Sequence, residues 1–204
     1  MTDLIRRVHG QEVPATGVWE LRPERASIQF TLRRPCAPAI RGQICLNDGV
    51  ILITADPRES VAAISIDAGS LSTSRPRGDA RRRARWLATD RFPTIDLLVD
   101  EVEQQTRWEW TALCRLRLRD VTIPIALCFT YDGVDDNDDA MFRARTMLSG
   151  EDLGGARRRF RLFGRSLNVE IRAEVHAQRI SDIVTFASDL RYAHPSFGTN
   201  LEYL

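Results

Sequence analysis

Between residues 106 and 118 the chain reads Thr-Arg-Trp-Glu-Trp-Thr-Ala-Leu-Cys-Arg-Leu-Arg-Leu. Every even position from Trp108 to Leu118 is apolar, and nearly every odd position is polar. Because side chains alternate between the two faces of a strand, the pattern predicts a long β-strand with one dry face and one wet face. The alternation returns at residues 28–32 and 167–175. Strands of this kind must turn their dry faces together, and closing the sheet also removes its exposed edges, so the pattern favours a β-barrel.

Length and composition limit the class of protein. A chain of 204 residues can bury one full hydrophobic core, and all-β barrels of this size commonly form one domain. A formal net charge of +1 provides no general attraction to nucleic acid, so we predict no nucleic-acid partner. No stretch approaches the roughly 20 apolar residues of a membrane-spanning helix, and the N-terminus lacks the apolar core of a signal peptide. We therefore predict no integral membrane segment and a cytoplasmic location.

The chain divides into three parts by its pattern of turns and strands. Residues 1–16 are predicted to be a flexible lead-in, and residues 178–204 an apolar extension that packs on the barrel or on a partner, with a homodimer as one outcome. Between them a short helix over Arg77–Ala88 interrupts the strands, and Asn47–Gly49 is predicted to be a hairpin turn. The predicted strands lie at residues 17–21, 27–33, 40–46, 50–55, 61–66, 94–99, 107–118, 121–131, 142–148 and 166–177.

The order of these elements resembles the YceI-like family of lipocalin-like barrels. The pieces that carry the resemblance are Gly17-Val18-Trp19-Glu20-Leu21, Ser27-Ile28-Gln29-Phe30, Gly42, Ser70-Leu71-Ser72-Thr73, Asp79, Arg91-Phe92-Pro93-Thr94-Ile95 and the strand-turn-strand segment from Leu116 to Ile125. Together they cover roughly residues 17–177. The resemblance implies an all-β fold, an antiparallel barrel of about eight strands with one short interrupting helix, that binds polyisoprenoids or related lipids.

The dry faces of the strands supply the candidate ligand-binding residues. A closed sheet of about eight strands can hold one small apolar ligand, but alternation alone leaves open whether these side chains enclose a cavity or fill a core. The resemblance favours a cavity. The candidates are Ile28, Phe30, Leu32, Trp108, Trp110, Leu116, Leu118, Ile125, Leu127, Phe129, Phe142 and Leu148.

The polar motifs indicate structural roles. The four cysteines form no Cys-x-x-Cys pair, so free thiols are expected and structural zinc is not. The acidic stretch 132–139 lacks the spacing of a calcium loop and is predicted to be a solvated turn, and His176 is predicted on the wet side of its strand. Asp79 and Ser70 are interpreted as cap and turn residues that hold the helix against the barrel. The Arg clusters at 81–85 and 157–161 are predicted to form a solvated basic surface, with contact to a ligand head group as the alternative.

These observations predict non-catalytic binding, with carriage or sequestration of a polyisoprenoid or a similar long apolar lipid. No catalytic residue, metal ion or cofactor is predicted, because no Ser-His-Asp order, nucleophile elbow or phosphate loop is present. Two alternatives stay open. The first is a barrel enzyme that acts on a hydrophobic metabolite, and the second is a barrel with a solid core that serves protein–protein interaction.

Overall fold

The computed structural model describes residues 4–8, 10–34, 37–149 and 168–181. The stretch Arg157–Arg161, the residues Cys36, His9 and His194, and the part of the C-terminal extension beyond residue 181 lie outside the described residues. The described strands are β1 (Ile5–Val8), β2 (Gln11–Pro14), β3 (Gly17–Leu21), β4 (Ser27–Arg34), β5 (Ala37–Ile53), β6 (Val61–Thr73), β7 (Thr94–Gln104), β8 (Trp110–Leu118), β9 (Val121–Val134), β10 (Asp139–Ser149) and β11 (Asn168–Ser181).

Strands β3 to β11 form one antiparallel sheet that closes on itself. From β5 to β11, each strand pairs with the next strand in the chain. Strand β11 pairs on its other side with β3 and β4, which closes the sheet. Strands β3 and β4 lie end to end, because both pair with the long β5 and both pair with β11. They therefore act as one strand interrupted by a short helical turn at Pro23–Arg25. The result is a closed eight-stranded barrel, which confirms the predicted fold class.

One end of the barrel is covered by the β1–β2 hairpin, so we call it the hairpin end. Val13 is buried against the side chains of β7, β8 and β10. The Arg6 guanidinium donates to the carbonyl oxygens of Thr54 and Ala55 at 2.5 and 2.7 Å, and the Gln104 amide contacts the Gln11 amide. Strands β1 and β2, which lie in the part of the chain predicted to be a flexible lead-in, form instead a strand pair packed on the barrel.

The opposite end is covered by the helical segment between β6 and β7, so we call it the helix end. The α-helix α1 (Asp79–Arg82) continues as a wider turn over Arg83–Leu87, which agrees with the predicted helix in this region. Leu87 is buried against Leu71, and Trp86 packs on residues of β4, β5, β8 and β9. Within the described ranges no helix is long and apolar enough to cross a membrane.

The predicted hairpin turn at Asn47–Gly49 is wrong. Strand β5 runs through these residues without reversing, and bulges in its register with β6 absorb the irregular sequence. Gly49 is required there for a packing reason, because a Cβ at this position would lie 2.6 Å from Leu21 Cδ1. Likewise, β6 continues beyond residue 66, where the predicted strand ends, and runs through Ser70 to Thr73.

Candidate functional site: the barrel interior and its wall

The inward face of β8 forms the driest side of the barrel interior. Trp110, Ala112, Cys114 and Leu116 are all buried, as the alternation in the sequence predicts. The Trp110 ring stacks on the ring of Phe129 from β9, with 6.5 Å between the ring centroids. On the β3 and β10 side, a second group of buried side chains surrounds Trp19 and includes Leu21, Ile28, Phe142 and Ala177.

The structure brings together most of the residues predicted to contact a ligand. Six of them are buried, namely Ile28, Leu32, Trp110, Leu116, Phe142 and Leu148. Five are half-buried, namely Phe30, Leu118, Ile125, Leu127 and Phe129. Each of these eleven belongs to one of the apolar clusters inside the barrel or packs against one.

Trp108 is the exception, and its assignment to the interior is wrong. Strand β8 begins at Trp110, and Trp108 lies in the turn before it with 62% of its side chain exposed. The backbone N–H groups of Trp108 and Glu109 point to the Thr106 hydroxyl, which closes this turn. The Arg107 guanidinium covers the Trp108 ring at 4.9 Å from its centroid. Strand β8 therefore begins three residues after the predicted start at Arg107.

Several side chains on the inward faces of the strands are only partly buried. Ile64, Phe129 and Ile171 come from three different strands and each packs against both main apolar clusters, yet all three are only half-buried. Each of them retains some accessible surface, although the sheet closes on itself and the described segments cover both of its ends. The same holds for Ile66, Ala173 and Val175, which were not among the predicted site residues although their strands show the same alternation.

A cleft of about 550 Å³ opens in the barrel wall between β9 and β10. Its lining includes Ile125 and Leu148, which belong to the apolar clusters of the interior, and Met147, which is 63% exposed on the outer surface. A larger and more polar recess lies at the hairpin end, between Val8, Asp56 and Gln104. The volume of the wall cleft is in the range of sites that hold a small ligand.

A polar cluster fastens the hairpin end of the barrel from outside. The Arg25 guanidinium donates to Asp135 and to Asp139 at 2.5 Å each, and His176 Nδ1 lies 3.0 Å from Asp135 Oδ2. Arg25 holds the pKa of Asp135 well below its usual range. The prediction that Asp135 and Asp139 belong to a solvated turn is therefore wrong.

His176 belongs to the same cluster, and its prediction needs a similar correction. It lies on the outward side of β11, as predicted, but it is 8% exposed because the β9–β10 turn covers it. The candidate ligand atoms of Asp135, Asp139 and His176 lie within 4.8 Å of one another, which resembles a metal-binding set. The charge that balances the two carboxylates comes from Arg25, so we interpret the cluster as a structural clasp.

A second polar cluster holds the helix against the helix end. The Asp79 carboxylate accepts hydrogen bonds from the Thr73 backbone N–H and the Thr73 hydroxyl at 2.8 and 2.7 Å. Arg82 donates to Asp79, to the Thr73 hydroxyl and to the Arg75 carbonyl oxygen. Asp79 thus joins α1 to β6, which agrees with its interpretation as a residue that holds the helix against the barrel. Arg82, predicted to belong to a solvated basic surface, is a structural residue.

The reactive groups that face the interior are inactive at neutral pH. Burial raises the pKa of the Cys114 thiol to about 12, which keeps it protonated and a poor nucleophile. Burial also raises the pKa of Tyr131 to about 12. Cys45, Cys114 and Cys128 are free thiols, as expected for the described cysteines.

The closed eight-stranded wall, the apolar interior and the covered ends define a lipocalin-like β-barrel. A family model for the YceI-like domain matches residues 19–189. The chain therefore belongs to the YceI-like family, as the order of its sequence motifs indicates.

Solved structures support the same fold at low sequence identity. BcnA from Burkholderia cenocepacia is 10% identical, with 78% of this chain and 99% of that chain covered at a TM-score of 0.58. A polyisoprenoid binding domain from Saccharophagus degradans, implicated in plant cell wall breakdown, is 12% identical, with 79% and 98% covered at a TM-score of 0.53. The YCEI protein of Campylobacter jejuni is 14% identical, with 71% and 88% covered at a TM-score of 0.51. No curated protein matches the chain.

Proposed function

We propose that this protein binds one long apolar molecule, a polyisoprenoid or a similar lipid, inside its barrel and carries or stores it without changing it chemically. The observation that carries this proposal is the accessible surface that Ile64, Phe129 and Ile171 retain although each packs against both main apolar clusters. In a solid core these side chains would be fully buried. The eleven clustered residues predicted from the sequence are the proposed lining.

The energetics of such binding need little polar recognition. At roughly 0.3 kcal/mol per non-hydrogen atom, a prenyl chain of about 40 carbons provides on the order of 12 kcal/mol, which corresponds to nanomolar affinity. The described interior consists of aliphatic and aromatic side chains contributed by every part of the wall. A lining of this kind suits a long hydrocarbon chain.

The state of the buried ionisable groups supports binding over catalysis. Asp79 is held by Thr73 and Arg82, Asp139 by Arg25, and His176 contacts Asp135. All of them lie at the two ends of the barrel and have structural partners. A general acid or base needs a proton-accepting or proton-donating atom directed at the substrate, and these atoms are already engaged with the fold.

The relatives support the same class of ligand. The Saccharophagus degradans domain is described as polyisoprenoid binding, and nearly its whole length superposes on this chain. Because only 12% of the residues are identical, the length and head group of the ligand must come from experiment.

The first experiment is native mass spectrometry of the purified protein, followed by lipid extraction. We expect one prenyl or fatty molecule per chain. The delipidated protein is then titrated with all-trans-retinol, a fluorescent isoprenoid alcohol whose emission is excited by energy transfer from nearby tryptophans. Saturable binding of one retinol supports the proposal. Failure both to retain a lipid and to take up retinol refutes it and favours a solid barrel.

A further inference from the structure

The pairing of β9 with β10 stops partway along both strands. The register runs from Ala140 opposite Val134 to Arg145 opposite Cys128 and ends there. Residues 121–127 of β9 and 146–149 of β10 continue as strand beyond that point. On their other sides both strands stay paired to the end, β9 with β8 and β10 with β11. Among the described residues, no ladder joins residues 124–127 to residues 146–148, and we call this stretch of the wall the seam.

The local chemistry of the seam fits two strand edges that face each other without a ladder. Pro124 lies in the unpaired part of β9, and a proline cannot donate to a sheet ladder, so it is tolerated where a strand has an edge. Across the seam, the Thr146 hydroxyl donates to the Ala126 carbonyl oxygen at 2.7 Å. A side chain therefore satisfies a carbonyl group that a backbone N–H satisfies in paired strands.

The seam connects the interior with the outer surface along apolar side chains. The cleft of about 550 Å³ lies at the seam. Its inner part is lined by Ile125 and Leu148, and its outer part by Pro124 and the exposed Met147. Paired strands are only about 4.8 Å apart and joined by hydrogen bonds, so they leave no passage for a hydrocarbon chain. Separating the two strands at the seam breaks the described hydrogen bond from the Thr146 hydroxyl to the Ala126 carbonyl oxygen.

The two ends of the barrel are harder to open. At the hairpin end, Arg6 bonds two carbonyl groups of the wall and Val13 is buried in the apolar cluster. At the helix end, Asp79 and Arg82 bind the rim of β6, and Leu87 is buried. Either cover must lose several hydrogen bonds and an apolar contact before a ligand can pass.

We propose that an apolar ligand enters and leaves the barrel sideways, through the seam between β9 and β10. This inference rests on the proposed function of the interior. Opening requires β9 and β10 to move apart over residues 124–127 and 146–148, with separation of the Thr146–Ala126 hydrogen bond. Because the lining side chains Ile125 and Leu148 of the seam point inward, a link between positions 126 and 147 on its exposed outer face leaves the equilibrium affinity unchanged and slows entry and release by the same factor.

The test is a reversible disulfide across the seam. Extending the register beyond Arg145 and Cys128 brings Ala126 and Met147 opposite each other on the outer face. We introduce Ala126→Cys and Met147→Cys in a background that carries Cys36→Ser, Cys45→Ser and Cys128→Ser. Cys114 is left in place because it is buried and protonated. Mass spectrometry verifies that the disulfide has formed.

Retinol transfer from phosphatidylcholine vesicles is followed by tryptophan-to-retinol energy transfer. With the disulfide formed, we expect loading and release to slow together by about tenfold or more, equal to at least about 1.4 kcal/mol of added barrier, with the same Kd. Reduction restores both rates. The matched control is Thr130→Cys with Arg143→Cys, which links the same two strands by a disulfide where they are already paired. We expect no change of rate in this control.

A second variant tests the seam without relying on disulfide formation. Thr146→Val removes the hydroxyl that bridges the seam, and we expect both rates to rise about threefold because one ordinary hydrogen bond no longer holds the strands together. Unchanged rates in Thr146→Val and in the oxidised seam variant overturn the proposed route through the seam but not the proposed binding of a ligand in the interior. Failure of every variant, and of the parent protein, to take up retinol overturns the proposed function instead.

Discussion

Substitution of Ala173 by Leu decides whether the barrel interior is hollow. Ala173 lies on the inward face of β11, opposite Ile28 on one side and Ala144 on the other. It packs against the Trp19 cluster but is only half-buried. A leucine side chain at this position extends into the space that we propose for the ligand.

The expected magnitude follows from the three added carbons. At about 0.8 kcal/mol per buried CH₂, the substitution contributes at most about 2.4 kcal/mol. Loss of leucine rotamer freedom offsets about 0.5–1 kcal/mol of this. We expect the delipidated Ala173→Leu protein to gain about 1.5 kcal/mol in free energy of unfolding, which corresponds to a melting temperature about 3–6 °C higher. A filled core would instead be overpacked and lose about 1–3 kcal/mol.

The three added carbons occupy the place of about three ligand atoms. At roughly 0.3 kcal/mol per atom, we expect retinol to bind with a Kd about fivefold higher. Stability is measured by urea denaturation of lipid-free protein, because bound ligand would itself stabilise the fold. The control Glu174→Leu places the same side chain on the exposed outer face of β11 and should leave the Kd unchanged. A lower free energy of unfolding in Ala173→Leu, with unaltered retinol affinity, refutes the hollow interior.

Two further predictions concern the edges of the fold. Trp110→Ala should lower the free energy of unfolding by about 3–5 kcal/mol because the ring is buried. Trp108→Ala should change it by less than about 0.5 kcal/mol because its ring is exposed. Similar losses for the two variants in urea denaturation would contradict the placement of Trp110 inside the barrel and Trp108 outside it. The second prediction concerns pH. Arg25 lowers the pKa of Asp135 in the folded state, so this carboxylate stabilises the fold above its unfolded pKa of about 4, and the contribution is lost as pH falls through the lower folded value. The free energy of unfolding of Asp135→Asn should therefore fall less steeply below pH 4 than that of the parent protein. The control Asp136→Asn, at an exposed neighbouring position, should show the same pH dependence as the parent. Equal slopes for all three proteins would count against the clasp.

The sequence predicted the parts of this fold that depend on local periodicity. The inward residues of β8 from Trp110 to Leu116 follow from alternation, and β3 has the predicted bounds Gly17–Leu21. Alternation continues past the point where a strand stops pairing, which is why Trp108 was misplaced. The turn signal of Asn47–Gly49 was misleading for a related reason, because the neighbouring strands β3 and β6 hold these residues in the sheet.

The candidate site was only partly accessible from the sequence. Eleven of the predicted lining residues lie in or against the interior clusters, whereas Ile64 and Ile171 were missed although they alternate with polar neighbours. The clasp of Arg25, Asp135, Asp139 and His176 joins residues up to about 150 positions apart, so no local spacing reveals it.

The sequence by itself determined the strand faces and the closed barrel, because the period of apolar side chains is a local property of the chain. It also determined the family, because the motifs follow one another in the order that is typical of that family. Only the tertiary structure decided that Ile64 and Phe129 stay half-buried between the apolar clusters, that a hairpin and a helix cover the two ends, and that the ladder between β9 and β10 stops at Arg145 and Cys128. These features depend on distances between strands that are remote in sequence. Such distances are set by the simultaneous packing of all eight strands around the barrel, and no single stretch of the chain contains that information.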